Sequence, residues 1–99
     1  MTIFTDNDIA ILNQAIDTYG PAAQTNMIIE ECAELIVALQ KLEREPANAK
    51  RLNNVAAEIA DVMIMCEQAR LMFGCEQVNN AVRYKLDRLE RRLNDGENH

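Results

Sequence analysis

Hydrophobic positions along the chain recur at three- and four-residue intervals, with almost none of the alternation a half-buried strand needs. Breaks fall at Gly20-Pro21, Glu45-Pro46, Gly74 and Asp95-Gly96, where Gly and Pro punctuate the pattern. The stretches between them predict four helices, over about 6–19, 22–44, 49–73 and 76–93. Thr5 followed by Asp8 reads as a capping box for the first, with Phe4 placed to staple onto Ile9. Ile9, Leu12 and Ile16 form its inner stripe. The second helix carries Ile28, Leu35, Leu39 and Leu42 on one side, and the fourth turns Val78, Val82, Leu86, Leu89 and Leu93 inward. The expected fold class is all-α and four-helix bundle-like, one domain over 1–99, with a polar and flexible tail over 94–99.

The third helix departs from the amphipathic pattern. At 100° per residue, Ile59, Met63 and Cys66 share one side, Val62, Ala69 and Val55 lie beside them, and Ile64 and Met65 fall on the far side. A helix that is apolar all round needs cover all round. Four helices in so short a chain do not easily wrap one of their own, so a homo-oligomer is expected to supply the missing cover.

Composition narrows the function classes. The chain has 99 residues, 16 Asp+Glu against 10 Lys+Arg and a formal charge of −6. A chain of this size buries only about 60–65% of its unfolded surface, which makes a lone monomer marginal. The acidic balance argues against nucleic-acid binding through bulk charge. No run of about 18 apolar residues is present, so no membrane span is expected, and the start MTIFTDND lacks the features of a secretory signal. Three cysteines, no CxxC and one His fit reduced thiols in a cytoplasmic protein better than a disulfide framework or a zinc site.

Against that background four carboxylates stand out. Glu31 and Glu34 lie three apart on the second helix, and Glu58 and Asp61 three apart on the third, so each pair shares a face. Glu31 sits inside the apolar stripe, and Glu58 and Asp61 straddle Met65. Such positions are costly for a carboxylate unless it is paired or bound to a cation. Counting from the turn sharpens the point: Glu34 and Glu58 are each 12 residues from Pro46, and Glu31 and Asp61 each 15. An antiparallel hairpin would therefore bring Glu34 level with Glu58 and Glu31 level with Asp61. Lys41, Arg44, Lys50 and Arg51 are expected near the hairpin tip, two or more turns away. All-oxygen ligands favour a hard ion, Mg²⁺ first and Mn²⁺ second. Glu30, toward solvent, reads as a supporting acid, a ligand to a further ion or plain surface.

The fourth helix holds a second cluster. Arg83, Lys85, Arg88, Arg91 and Arg92 are half of all Lys+Arg. Lys85, Arg88 and Arg92 run along one edge of its apolar stripe over about 10 Å, comparable to a phosphate chain. Beside a metal–carboxylate cluster, Lys85 and Arg88 are expected to contact phosphates, and Arg92 less so; the other reading pairs these cations with Asp87 and Glu90. Gln24 is placed to contact a base or sugar, or to sit at the core edge. Asn54, one turn before Glu58, is placed to touch a phosphate or to cap a helix. No Gly-rich phosphate loop, Ser-His pair or Cys-His pair is present,.

EExxE at Glu30, Glu31 and Glu34 followed by ExxD at Glu58 and Asp61, with IIEECAELIVALQKLER, EIADVMIMCEQ and KLDRLERRL, resembles the small MazG-like all-α nucleoside triphosphate pyrophosphatases often encoded by bacteria and their phages. The resemblance spans about residues 24–93. It implies a homo-oligomer, dimer or tetramer, that hydrolyses (d)NTPs between the α and β phosphates to give (d)NMP and pyrophosphate. It implies Mg²⁺ on Glu31, Glu34, Glu58 and Asp61, a metal-activated water as the attacking group, Glu30 or Glu34 orienting or deprotonating that water, and Lys85 and Arg88 holding the phosphates. Two departures stand out: Asn54 replaces a Lys found in some members, and the chain has no Trp. The related phosphoribosyl-ATP pyrophosphatases carry Tyr-His after the ExxD region, where this chain reads Val62-Met63-Ile64-Met65. A different class also fits the helices: a non-catalytic oligomerisation or nucleotide-sensing module.

Overall fold

The computed structural model describes residues 3–96, all of whose regular structure is helical. The helices are α1 (Asp6–Tyr19), α2 (Pro21–Arg44), α3 (Ala49–Phe73) and α4 (Cys75–Asn94). The capping box forms as expected: the Asp8 amide donates to Thr5 Oγ1 at 3.1 Å, and the Thr5 amide donates to Asp8 Oδ2 at 2.9 Å. At the start of α3, Asn48 Oδ1 accepts from the Arg51 amide at 3.1 Å, which satisfies one of the free N–H groups of the first turn. Gly20 and Gly74 divide α1 from α2 and α3 from α4 with positive φ of 89° and 129°, a backbone region that a side chain would strain. Asn94 is the last helical residue, and residues 97–99 of the expected flexible tail lie outside the described residues.

The scaffold is the long antiparallel hairpin of α2 and α3, and α1 packs against both. Leu12, Ala38 and Val55 are its buried apolar residues. Gln68, only 2% exposed, donates to the Leu12 carbonyl at 3.5 Å and so ties α3 to α1. On the side of α3 away from the acids, Phe4, Ile11 and Leu12 face Ala60, Met63 and Ile64 around a cavity of about 400 Å³.

The bundle is not closed within one chain. Among the described residues α4 packs only against α3, and Val82, Leu86, Leu89 and Leu93, expected inward, are exposed. Their stripe is apolar, but no other helix of the chain faces it. α3 shows the same shortage of cover: Ile59, Met63 and Ile64 are exposed as well. The accessible surface is 7499 Å², against roughly 5700 Å² for a compact chain of this mass. The radius of gyration is 16.4 Å, against about 13 Å for a compact domain. No described helix is long and apolar enough to cross a membrane.

Candidate metal centre

The hairpin sets the acids opposite one another in the register counted from Pro46. Glu34 contacts Glu58, and Glu31 contacts Asp61. One carboxylate oxygen from each of Glu31, Glu34 and Glu58 lies within 4.8 Å of the other two. Asp61 is exposed and stands at the edge of this group, against Glu31 but outside the convergent three. Glu31 and Glu58 are half-buried, and Glu34 is exposed.

The electrostatics of the group are uncompensated. Burial pushes the Glu58 carboxyl above its ordinary value, and Glu34 and Asp61 push it further. Burial likewise raises Glu31, followed by the charges of Glu34, Asp61 and Glu58. Each carboxyl–carboxyl contact can close as a hydrogen bond only when one partner carries a proton, which raises the pKa again. Glu31 Oε2 and Glu58 Oε2 are sealed from solvent with no hydrogen-bond partner. A buried anionic oxygen without a donor is costly, and a divalent cation at the shared focus would satisfy both. The donor set is oxygen throughout, so the residues fit a hard ion, Mg²⁺ or Mn²⁺.

A cleft of about 310 Å³ adjoins the acids, walled by Glu34, Val37, Ala38 and Lys41 of α2 and by Asn54 and Glu58 of α3. Asn54 thus shares a cleft with Glu58. Lys41, two turns from Glu34 toward the hairpin tip, also stands on the cleft wall,. Seven residues after Glu34 the helix returns to nearly the same face, a signal the sequence contains but distance along the helix conceals.

Other candidates stand elsewhere. Glu30 is exposed and outside the convergent three, being turned about 100° from Glu31,. Gln24 is buried and lines neither this cleft nor the cavity between α1 and α3. Lys85, Arg88 and Arg92 line neither of them. The Arg88 guanidinium sits 5.9 Å from the centroid of the Tyr84 ring, and Arg83 pairs with Asp87 at 3.1 Å. Neither the acid cleft nor the cavity between α1 and α3 is lined by any residue of α4. No protein family, curated protein or solved structure matches the chain.

Proposed function

We propose that this chain is the subunit of a homo-oligomeric, Mg²⁺-dependent nucleotide pyrophosphohydrolase. It adds water to a (d)NTP, breaks the bridge between the α and β phosphates, and releases (d)NMP and pyrophosphate. One observation carries the reading: three carboxylates from two helices converge within 4.8 Å, with two of their oxygens buried and lacking any donor. The EExxE and ExxD spacing adds to it.

Glu31, Glu34 and Glu58 would hold the ion, with Asp61 joining from the edge. Mg²⁺, or Mn²⁺ in its place, would offset the acids' repulsion, polarise a phosphoryl oxygen and lower the pKa of a bound water. Glu34 is the exposed member of the three and is the one able to orient that water and accept its proton. The oligomer is supported by the uncovered stripes of α3 and α4. The roughly 1800 Å² of surface beyond that of a compact chain is what an obligate interface removes from each partner.

Incubation of the folded protein with each (d)NTP and Mg²⁺, scoring monophosphate and pyrophosphate, tests the reaction. Equimolar products are expected for at least one nucleotide; no turnover with any of them overturns the hydrolase. The separation of Lys85 and Arg88 from the acid cleft favours a second reading, a helical nucleotide-sensing module. That reading prevails if metal and nucleotide bind without turnover.

A further inference from the structure

We infer that the groove running from the carboxylates toward the hairpin tip binds a short phosphate chain, with Lys41 as its cationic anchor and Asn54 as a neutral donor. The metal end of this inference rests on the reading above; the Lys41 end does not. Four observations converge on it. First, Lys41 and Glu34 lie on one wall of the same cleft, two turns and about 10 Å apart along α2. An ion held by the acids and the Lys41 ammonium would thus place two positive centres at opposite ends of one slot. Second, Lys41 forms no ion pair among the described residues. Of the other tip cations, Arg51 bonds Glu45 at 3.2 Å and the Arg44 Nε donates to the Gln40 carbonyl at 3.3 Å; Lys50 is unpaired as well but does not line the cleft.

Third, the wall between the two ends is apolar, formed by Val37 and the buried Ala38. Such a wall offers a ligand no competing hydrogen bonds, so recognition falls to the ends. Fourth, Asn54 faces this slot from α3 and brings an amide donor without adding charge. A ligand matching this pattern is slim and anionic at both ends. The volume of about 310 Å³ is at the small end for binding sites. A diphosphate unit meets these demands, and a lysine ammonium suits it as a point charge with three donors.

Inorganic pyrophosphate, titrated calorimetrically in the presence of Mg²⁺, is the probe. Lys41→Met is expected to weaken its binding by about tenfold or more, while Lys41→Arg, which keeps the charge, stays within about threefold. Lys50→Met controls for bulk charge at the tip and is expected to bind as the parent protein does. Titration with Mg²⁺ alone is expected to give the same affinity for Lys41→Met and the parent. Pyrophosphate binding that is absent in the parent, or equal in Lys41→Met and the parent, overturns the inference; so does a loss traced to Mg²⁺ affinity. Lys41-dependent pyrophosphate binding without turnover of any (d)NTP would remove the hydrolase and leave this cleft standing. Turnover with Lys41-independent binding would do the reverse.

Discussion

The middle and the tip of the α2–α3 hairpin treat the same residue type in opposite ways. At the tip, Glu45 accepts from Asn48 Nδ2 at 3.1 Å and from Arg51 Nε at 3.2 Å. Those two hydrogen bonds, and then the Arg51 charge, hold its carboxyl below the ordinary value. Glu67, against the Arg70 guanidinium at 2.7 Å, is lowered in the same way. In the middle, Glu31 and Glu58 have buried oxygens without a donor, and the charges acting on them are other carboxylates. The tip closes its own charge balance and holds the turn. The middle leaves its balance open, which is how a site for an external cation differs from a structural ion pair.

If that contrast is functional, the largest effect belongs to the middle. Glu58→Ala and Glu31→Ala are each expected to lower (d)NTP turnover by about a hundredfold or more, since a metal contributes several kcal/mol to the transition state. Steady-state kinetics with purified, folded variants checks this, and near-parental rates would break the comparison.

A smaller effect, but one with a sign, concerns stability without metal. Glu58→Gln removes a repelled charge and is expected to raise the metal-free melting temperature. Glu45→Gln removes a partnered one and is expected to lower it by less, as exposed pairs contribute little. Thermal melts in chelator read both, and shifts of the same sign would show that the two regions do not differ.

The smallest effect is the pH dependence of the metal-free protein. Glu31 and Glu58 are raised in the fold, so the native state holds more protons than the unfolded chain above the ordinary value of 4.5. Their contribution to stability is full below that value and is lost as the pH rises through the raised ones. Glu45 and Glu67 are lowered; their contribution is present above 4.5 and lost only as the pH falls through the lowered values. Above the ordinary value of 4.5 the metal-free melting temperature should therefore fall as the pH rises through the raised values, and saturating Mg²⁺ should remove the slope,. A melting temperature that rises over this range would contradict the assignment.

The sequence made some of this legible and hid the rest for physical reasons. Thr5, Asp8, Gly20, Pro46 and Gly74 fix the helix ends through capping and turn chemistry, which are local. The pairing of Glu34 with Glu58 and of Glu31 with Asp61 follows from equal counts about one turn, because both helices rise at one rate. The wheel shows that α3 and α4 carry apolar faces, but a wheel holds no information on what covers them. Hence the stripe from Val82 to Leu93 was expected inward and lies exposed. Among the described residues Gln24 and Gln68 are the buried polar ones, and no periodic pattern marks a glutamine for burial. Lys41 eluded the linear count because seven residues look distant along the chain yet return to one face.

The central claim is that the middle of the hairpin shares one divalent ion among acids from both helices. Calorimetric titration of the metal-free chain with Mg²⁺, alongside a Glu31→Gln/Glu58→Gln double variant, tests it most directly. Saturable binding by the parent, lost in the double variant, is the expected result. Equal binding by both, or none by the folded parent, would contradict it.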